Sequence, residues 1–591
     1  MAVTFGSIDE ARSRIAELVE RYARNRAQYR SSDYNEETTR NEFINPLFEA
    51  LGWDVANRSG AAQQYKDVIH EEGIKVGDYT KAPDYTFRFG GARKFFVEAK
   101  KPSVDVKGDS GPAYQLRRYA WSAKLPLSIL TDFEELAVYD TRVRPKESDK
   151  PTVGRILYLT YEELLPRLEE VWGIFSKEAV HKGSFDRYAE DARGKRGTSE
   201  VDAEFLKEIE GWRVEIAKIL ALRNESLSAD ELNYAVQTVI DRIIFLRIAE
   251  GRGVEDYGRL LALVNAPNIY KRLVQLWRKA DERYNSGLFD FRADRLTTAL
   301  EIDDKVLKPI LEGLYYPKSQ YEFSVFPIEI LGNVYEQFLG KVIRLTKGHR
   351  AVVEEKPEVK KAGGVYYTPS YIVDYIVRGT VGRLCEGKTP KQLETFRVLD
   401  PACGSGSFLL AAYQCLLDYH LAWYRDHDPA KQKKQVHSMR GEWHLTSAEK
   451  RRILLNNIFG VDIDRQAVEV TKLSLLLKVL EGESSQTLLQ HALFGERALP
   501  SLEANIKCGN SLLSPADLGG DLFPDADELK RINPFEWKRE FPAIIAAGGF
   551  DAVIGNPPYL NIDDTWGKKD IRLGLIKTSY PHIYNDGSSA K

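Results

Sequence analysis

Residues 398–413 constrain the fold more than any other part of the chain, because an apolar run leads into a glycine-rich turn and then a helix. Val398 opens the predicted strand, Gly404 and Gly406 form the turn, and Ser407 begins the helix. Glycine has no Cβ, so the main chain of this turn can approach a bound nucleotide closely. The turn lacks the glycine spacing of dinucleotide sites and the lysine of a phosphate-binding loop. The segment therefore predicts a doubly wound α/β domain whose nucleotide-sized pocket suits neither NAD nor ATP.

A second strand is predicted at residues 458–464, where an apolar run ends in acidic residues before a helix at residues 467–477. In a doubly wound sheet, a carboxylate at the carboxyl end of the second strand can accept hydrogen bonds from ribose hydroxyls. Asp462 occupies this position. A shorter strand and loop follow at residues 506–512 and contain Asn510. The pocket is therefore expected to bind a ligand that contains ribose.

The sequence Asn-Pro-Pro-Tyr at residues 556–559 follows a further apolar strand and is the most specific signal in the chain. Its two prolines fix the backbone and remove N–H donors, so the segment presents carbonyl groups. Asn556 and the Pro557 carbonyl can accept both N–H bonds of a base amine, and Tyr559 offers a ring on which the base can stack. A simple turn would explain the two prolines, but not their position downstream of a nucleotide pocket.

Residues 364–559 resemble an S-adenosylmethionine-dependent DNA adenine-N6 methyltransferase of the gamma class. A Gly-x-Gly turn with an Asp on a strand also occurs in other α/β domains, but four segments here follow the order of this family. They are Val-Tyr-Tyr-Thr-Pro, Asp-Pro-Ala-Cys-Gly-Ser-Gly, Val-Asp-Ile-Asp and Asn-Pro-Pro-Tyr. The resemblance implies that adenine N6 is the methyl acceptor and that S-adenosylmethionine is the cofactor.

The same resemblance implies site residues. Thr368 and the Gly404 loop are expected at the methionine part of the cofactor, and Asn510, where the family often has Asp, at its adenine ring. The implied cofactor-binding residues are Tyr366, Thr368, Asp400, Pro401, Ala402, Cys403, Gly404, Gly406, Asp462, Ile463 and Asn510. The implied catalytic residues of methyl transfer are Asn556, Pro557, Pro558 and Tyr559.

The N-terminal region changes from helical to strand periodicity. Helices are predicted at residues 8–29 and 36–51, the second ended by Gly52, and a hairpin is predicted at residues 81–100 around Gly90 and Gly91. Asp84 begins one strand of the hairpin. Glu98 and Lys100 are two residues apart on the other strand and therefore share a face.

Two carboxylates and a lysine at one hairpin are the minimum for metal-assisted phosphodiester hydrolysis. Asp84 and Glu98 would hold Mg²⁺, and Lys100 would position or activate the attacking water. Glu-x-Lys also arises by chance in a charge-rich chain, where it marks a solvated strand face. The arrangement resembles the PD-(D/E)xK nuclease core, which favours the first interpretation.

Flanking segments resemble the N-terminal nuclease region of type I restriction subunits. The resemblance implies that Glu36, from a helix, joins the metal site, and that Gln115 and Tyr119 form a Gln-x-x-x-Tyr element one helical turn apart. Strands at residues 127–131 and 136–139 would complete the sheet. The implied catalytic residues of cleavage are Asp84, Glu98, Lys100, Glu36, Gln115 and Tyr119.

Between the two regions the pattern predicts a charged linker loop at residues 177–196 and a helical connector that extends to residue 345. Four arginines of this connector could touch a DNA backbone or, equally, form salt bridges on helix surfaces. They are Arg242, Arg247, Arg252 and Arg259. Residues 346–362 are expected to form an exposed loop, and residues 437–450 a surface insertion.

Composition excludes several classes of protein. The net charge of the 591 residues is −3, so any DNA affinity must come from local basic patches. Four cysteines show no metal spacing and no disulfide framework. The sequence begins without a basic and apolar leader and has no apolar span of about 18 residues or more, so a cytoplasmic prokaryotic protein with no membrane association is expected.

The whole chain resembles single-chain restriction–modification enzymes of type IIG. It is expected to be a multidomain α/β protein with a nuclease-like domain at residues 1–176, a linker and helical connector at 177–345, and a partial Rossmann-like methyltransferase domain at 346–591. The expected activities are Mg²⁺-dependent cleavage of double-stranded DNA and methylation of adenine N6. A target-recognition module is expected in a missing C-terminal part or in another subunit. Two alternatives stay open: a methyltransferase whose N-terminal domain only binds DNA, and a protein glutamine methyltransferase.

Overall fold

The chain folds into two compact units in the computed structural model. Unit 1 comprises Met1–Glu204, Gly251–Gly253 and Gly313–Pro327, and unit 2 comprises Phe205–Glu250, Val254–Glu312 and Ile328–Lys591. The structure describes residues 6–60, 66–70, 74–76, 79–89, 92–191, 200–284, 287–292, 294–328, 330–332, 334, 340–355, 368–439, 442–481, 499–518, 529, 532–557 and 571–580.

Unit 1 contains a six-stranded mixed sheet. Its strand order is β1-β4-β5-β6-β7-β8, in which only the β5–β6 pair is parallel. A separate antiparallel pair is formed by β2 and β3. The strands of this unit are β1 (Val68–His70), β2 (Ile74–Val76), β3 (Tyr79–Lys81), β4 (Tyr85–Phe89), β5 (Ala92–Ala99), β6 (Leu127–Thr131), β7 (Glu135–Asp140) and β8 (Arg155–Thr160).

The predicted hairpin is confirmed by the antiparallel pairing of β4 with β5, while Gly90 and Gly91 lie outside the described residues. Successive side chains of β5 enter opposite cores. Phe95 and Val97 pack in one apolar cluster and Phe96 in another. Because side chains alternate along a strand, Glu98 lies on the Phe96 face, toward the helix Ser110–Ser122. The predicted strands at residues 127–131 and 136–139 are confirmed as β6 and β7.

Both N-terminal helices are confirmed. Ser7 caps the first, Ile8–Tyr29, through a reciprocal bond pair with Glu10. The second helical segment is α-helical at Glu36–Thr39, widens into a π-helix at Arg40–Ile44, and returns to α-helix at Asn45–Ala50. The remaining helices of at least four residues in residues 110–191 are Ser110–Ser122, Tyr161–Leu164, Leu168–Phe175, Lys177–His181 and Ser184–Asp191.

The prediction of a linker loop at residues 177–196 is wrong for its first part. Lys177–His181 and Ser184–Asp191 are helices, and residues 192–199 lie outside the described part of the chain. Val180, Phe185 and Ala189 of these helices are buried in the core of unit 1. A few apolar residues at helical spacing were enough to anchor the segment, although charged residues dominate its composition.

The connector is helical, as predicted. Its helices are Val201–Arg223, Ala229–Gly251, Arg259–Ala262, Ile269–Tyr284 and Asp304–Gly313. The arginines of the connector were expected to touch a DNA backbone or to form salt bridges on helix surfaces. Both expectations are wrong for Arg242 and Arg247, which are 1% exposed. Arg242 pairs with Asp294 at 2.7 Å, and Arg247 lies 5.1 Å from the ring centroid of Tyr257. Neither guanidinium is on a surface, because the second helix is buried on nearly all sides.

Unit 2 contains the predicted doubly wound sheet. Its order is β15-β14-β11-β16, and every described pairing is parallel. Ser407–Asp426 follows β11 and Arg465–Val479 follows β14, which confirms both predicted helices. The strands are β11 (Val398–Asp400), β14 (Ile458–Asp462), β15 (Ile506–Cys508) and β16 (Ala552–Val553). Other helices of this part are Ser370–Val377, Ser447–Asn457, Trp537–Glu540, Pro542–Ala546 and Ile571–Ser579.

Two antiparallel hairpins in unit 2 were not predicted. The first pairs β9 (Lys341–Leu345) with β10 (Ala351–Glu355), so residues 351–355 of the expected exposed loop form a strand, while residues 356–362 lie outside the described residues. The second pairs β12 (Val436–Met439) with β13 (Glu442–Leu445), inside the expected surface insertion. Val436 and Leu445 are buried, which explains the local order of the second hairpin. Among the described helices, none is both long enough and apolar enough to cross a bilayer.

Candidate functional site

Asp84, Glu98 and Lys100 converge where β4 begins and β5 ends. Lys100 Nζ lies 2.7 Å from Glu98 Oε1, and Asp84 Oδ2 accepts a 2.7 Å hydrogen bond from the backbone N–H of Ala99. The backbone N–H of Lys100 also donates to the carbonyl of Thr131 at the end of β6. The antiparallel β4–β5 pair thus brings the first carboxylate beside the second strand. The predicted pair of carboxylates and the lysine form one cluster.

Two further predicted residues reach this cluster from helices. Glu36 Oε2 lies 3.7 Å from Lys100 Nζ, and Gln115 Nε2 donates a 2.7 Å hydrogen bond to Glu98 Oε1. Tyr119, one turn beyond Gln115, is instead buried in the apolar layer that contains Phe96. Burial raises the pKa of the Tyr119 hydroxyl. The structure therefore brings Glu36 and Gln115 to the acidic cluster and places Tyr119 in the packing beneath it.

Electrostatics make this cluster unusual. Burial, and next the neighbouring Glu36 carboxylate, raise the pKa of Asp84 to about 6. Burial, and next Asp84, raise the pKa of Glu98 to about 8. The Lys100 ammonium opposes both shifts. Its own pKa is raised because the surrounding carboxylates outweigh the effect of burial. Carboxyl groups whose pKa values are raised by burial and by neighbouring carboxylates are common in active sites.

The donor set fits a hard divalent cation. Glu98 is 2% exposed, and its Oε2 is buried without a hydrogen-bond partner. An orphaned buried carboxylate oxygen is costly unless a partner occupies it. Within the described ranges, no three or more His, Cys, Asp or Glu side chains surround a common metal position. Mg²⁺ commonly binds through one or two carboxylates and otherwise through water and substrate phosphate, so Asp84 and Glu98 suffice.

One member of the cluster was missed as a site residue. Arg40 Nη1 donates a hydrogen bond to Asp84 Oδ1 across 3.2 Å. Arg40 lies four residues after Glu36 on one continuous helical segment, where the π-helix begins. Residues four apart on a helix are neighbours, so this spacing was an available signal.

In unit 2, the glycine loop is tied to the end of β14. The backbone N–H of Gly404 donates to Asp462 Oδ2 at 2.8 Å, and that of Asp464 donates to Asp462 Oδ1 at 2.8 Å. Thr471, which the sequence did not single out, donates to the Gly404 carbonyl at 2.8 Å. Gly404 has φ +52° and open space beside its α-carbon, which suits a ligand close to the backbone. Gly406 has φ +87°, and an added Cβ would meet Thr471 at 2.9 Å.

Residues 400–403, at the end of β11 and before Gly404, hold the glycine loop in place. Asp400 is 1% exposed, accepts a 3.1 Å bond from the Ala402 N–H, and has a pKa raised by burial to about 7. Cys403 is buried, and its N–H bonds to the Val461 carbonyl. Pro401 and Ala402 are partly exposed. These positions shape the turn, while their predicted contact with a cofactor stays a prediction.

Two other predicted cofactor residues lie at the carboxyl ends of β14 and β15. Ile463 is 48% exposed, an unusual position for a branched apolar side chain and one that suits the face of an adenine ring. Asn510 is buried, and its Oδ1 accepts a 3.1 Å hydrogen bond from the Leu512 N–H. One exposed apolar side chain and one buried polar side chain thus follow these two neighbouring strands, and their contact with a cofactor stays a prediction.

Asn556 follows β16 and meets the upstream motif. Its Nδ2 donates to Thr368 Oγ1 across 3.0 Å, and Pro557 is exposed. Gly555 before it has φ +153°, and an added Cβ would lie 2.5 Å from Asp400 Oδ1. This glycine, which the sequence did not single out, lets the end of β16 approach β11. The other predicted residues of these two motifs lie outside the described residues: Tyr366, Pro558 and Tyr559.

Two protein families match parts of the chain. Residues 33–147 match the family described as type I restriction enzyme R protein N terminus, and residues 456–587 match the Eco57I restriction-modification methylase family. The first match covers the Asp84 cluster and the second covers Asp462 and Asn556. Both predicted resemblances are therefore confirmed at the level of family.

Relatives extend this similarity to the whole chain. The Escherichia coli type II restriction enzyme and methyltransferase RM.Eco57I is 35% identical over 577 residues, which are 97% of this chain and 55% of the relative. The adenine-specific methyltransferase PglX of Streptomyces coelicolor is 25% identical over 211 residues, which are 35% of this chain and 15% of the relative. Among solved structures, a DrdV–DNA complex aligns with 99% of this chain and 47% of that chain at 14% identity and a TM-score of 0.37.

This chain spans about half the length of RM.Eco57I. Both family matches lie within this chain. The order of the two family matches along the sequence is the order expected for a fused nuclease and methylase. The chain is thus homologous to RM.Eco57I over 97% of its length, and along its sequence a match to the R-protein N-terminal family precedes a match to the Eco57I methylase family.

Proposed function

We propose that this protein is a DNA restriction–modification enzyme that cleaves double-stranded DNA with Mg²⁺ and methylates adenine N6 with S-adenosylmethionine. The observation that carries the proposal is the buried Asp84–Glu98–Lys100 cluster, whose Glu98 Oε2 has no hydrogen-bond partner. Homology to a fused restriction enzyme and methyltransferase supports the pairing of the two activities in one polypeptide.

In the proposed nuclease, Asp84 and Glu98 hold the metal. Bound Mg²⁺ would neutralise charge at the phosphate and lower the pKa of an attacking water. Lys100 lies within hydrogen-bond distance of Glu98 and can position that water with its remaining N–H donors. Gln115 fixes the other carboxylate oxygen by its 2.7 Å bond, so Glu98 presents Oε2 in one orientation.

In the proposed methyltransferase, the loop around Gly404 and the Asp462 carboxylate hold the cofactor. S-adenosylmethionine supplies the electrophilic methyl carbon. The target adenine must leave the base stack to reach the open edge of the sheet. There Asn556 Oδ1 and the Pro557 carbonyl accept the N–H bonds of its amine, and Tyr559 stacks on the ring. Thr368 supports this role because it holds the Asn556 amide by its nitrogen and leaves the oxygen to accept.

Cleavage is tested with the 591-residue chain, supercoiled plasmid and Mg²⁺, with and without S-adenosylmethionine. We expect nicking or linearisation that EDTA stops and that Lys100→Ala abolishes. Lys101→Ala is the matched control, since it removes a lysine one position away that makes no described contact with the cluster. Cutting that survives Lys100→Ala would contradict the proposed nuclease site.

Methylation is tested by transfer of a labelled methyl group from S-adenosylmethionine to DNA, followed by nucleoside analysis for N6-methyladenine. We expect Asn556→Ala to lower the rate at least about 100-fold, because an oriented acceptor of the reacting amine is lost. Methylation without any metal-dependent cutting would support the alternative in which the N-terminal region only binds DNA. Transfer to a protein glutamine instead of DNA would contradict the proposed substrate.

A further inference from the structure

Arg40 is held within the acidic cluster by two structural features. It follows Glu36 by one helical turn, and its Nη1 bonds to Asp84 Oδ1 at 3.2 Å. Its side chain is 19% exposed, so the guanidinium is enclosed on most sides but still reaches solvent. The π-helix that begins at Arg40 adds a residue to the local turn, a local widening that is frequent at functional sites.

Asp84 does not need Arg40 to hold its position. Asp84 Oδ2 is already bonded to the Ala99 N–H of β5 at 2.7 Å, and this backbone donor fixes the carboxylate to the sheet. A guanidinium carries five N–H donors in a rigid fork that matches phosphate oxygens. The bond from Nη1 to Asp84 places this fork beside a carboxylate proposed to hold the metal, where the scissile phosphate would bind.

Formal charges favour such a phosphate contact. When metal binding ionises every carboxyl, the described side chains Glu36, Asp84 and Glu98 are opposed by Lys100 and Arg40, so three carboxylates and two cations leave one negative charge. One divalent cation changes this to one positive charge, which matches one phosphodiester. If Arg40 were absent, the metal-loaded cluster would be neutral and would attract the phosphate less strongly.

We infer that Arg40 is a further catalytic residue of the nuclease, which binds a non-bridging oxygen of the scissile phosphate while Asp84 and Glu98 hold the metal. This inference rests on the proposed nuclease function. In this inference Arg40 binds DNA and is not required for the folding of unit 1.

Arg142 offers a matched control. Its side chain is 21% exposed and it pairs with the buried Asp140 at 2.9 Å, outside the acidic cluster. Arg40→Ala, Arg40→Lys and Arg142→Ala would be compared with the unmodified chain for plasmid cleavage in Mg²⁺. We expect Arg40→Ala to lower the cleavage rate about 100-fold or more, Arg40→Lys to restore part of it, and Arg142→Ala to change it less than threefold. Mg²⁺ affinity by calorimetry should not fall in Arg40→Ala.

A binding measurement gives a readout that a structural role would not change. With Ca²⁺ in place of Mg²⁺, the affinity for a duplex oligonucleotide is measured as salt concentration is varied. Loss of one phosphate contact should reduce the slope of log K against log[salt] by about 0.9, for Arg40→Ala only. Arg40→Lys keeps the charge and should keep the slope, which separates phosphate binding from misfolding.

The outcomes separate this inference from the function on which it rests. Cutting by the unmodified chain that Lys100→Ala abolishes but Arg40→Ala leaves within threefold would overturn the role of Arg40 alone. An unchanged salt slope in Arg40→Ala would do the same. Absence of metal-dependent cutting by the unmodified chain would overturn the proposed nuclease and the role of Arg40 together.

Discussion

Asn556 Nδ2 donates a hydrogen bond to Thr368 Oγ1 across 3.0 Å, although 188 residues separate the two in the chain. Thr368 precedes Pro369, the N-cap of the helix Ser370–Val377, and Asn556 lies just after β16, so the bond joins these two elements. It fixes which end of the Asn556 amide remains available as an acceptor. A residue remote in sequence thus sets the orientation of the proposed base-binding group.

Thr368→Val removes this hydroxyl and keeps the side-chain shape. We expect the rate of methyl transfer to fall about fivefold, since one neutral hydrogen bond contributes roughly 1 kcal/mol to orientation. The measurement is single-turnover transfer to DNA. Thr380→Val is the control, because Thr380 Oγ1 bonds to the Ile376 carbonyl within its own helical segment. A wild-type rate in Thr368→Val would show that the amide is held by other groups.

Glu98→Gln should abolish cleavage and stabilise the metal-free protein as pH rises. The pKa of Glu98 is raised from 4.5 to about 8, so the neutral carboxyl favours folding below its unfolded pKa and this advantage is lost as pH rises through about 8. Glutamine cannot ionise and avoids that loss. If the free energy of unfolding of Glu98→Gln exceeds that of the unmodified chain by about 1 kcal/mol, its Tm should be higher by roughly 2–4 °C for a domain of this size.

The expected Tm advantage of Glu98→Gln in EDTA is small near pH 5 and larger near pH 9. Thermal unfolding monitored across this pH range checks it. Glu169→Gln, at an exposed position, should show no growing difference. A Tm gap for Glu98→Gln that shrinks with rising pH would contradict the assignment of a raised pKa to Glu98.

Mg²⁺ binding should become tighter as pH rises from 6 to 8. A metal binds the carboxylates, and protons must leave Asp84, with a pKa of about 6, and Glu98, with a pKa of about 8. Between these values one proton is displaced, so Kd should fall by about tenfold per pH unit and level off above pH 8. Calorimetry in buffers of different ionisation enthalpy measures both Kd and proton release. A Kd independent of pH in this range would exclude proton displacement at Glu98.

Gly555→Ala should destabilise unit 2 by about 2–3 kcal/mol. An alanine Cβ at this position would lie 2.5 Å from Asp400 Oδ1, and the backbone φ of +153° is unfavourable for any residue with a Cβ. Gly549→Ala is the control, since Gly549 also has a positive φ of +107° but no atom within 4 Å of the added group. The difference between the Tm values of the two variants separates the cost of the clash with Asp400 from the cost of the positive φ. Equal Tm values would mean that β16 shifts freely relative to Asp400.

Local sequence patterns predicted the strands and turns that position both sites. Alternating residues placed Glu98 and Lys100 on one face, and the apolar run before Gly404 marked β11. These features depend on residues close together in the chain, which is why they could be predicted. The same is true of the helix Ile8–Tyr29, whose cap and apolar spacing are local.

Features decided by distant packing were not predictable. Arg242 was expected on a surface, but Asp294 lies 52 residues away in sequence and supplies a buried partner. Phe185 anchors a charged segment to a core built from other parts of unit 1. In each case the deciding contact is absent from the local pattern.

The parallel order β15-β14-β11-β16 has a consequence for biosynthesis. Val398 pairs with Ala552, so one edge of β11 cannot be completed until about 154 more residues have been made. At 5–20 residues per second, this takes about 8–30 s on the ribosome. During that time β11 keeps an unpaired strand edge, which can capture another chain. The glycine loop and Asp462 emerge well before Asn556, so the nascent polypeptide contains the proposed cofactor-binding residues before it contains the residue proposed to receive the base.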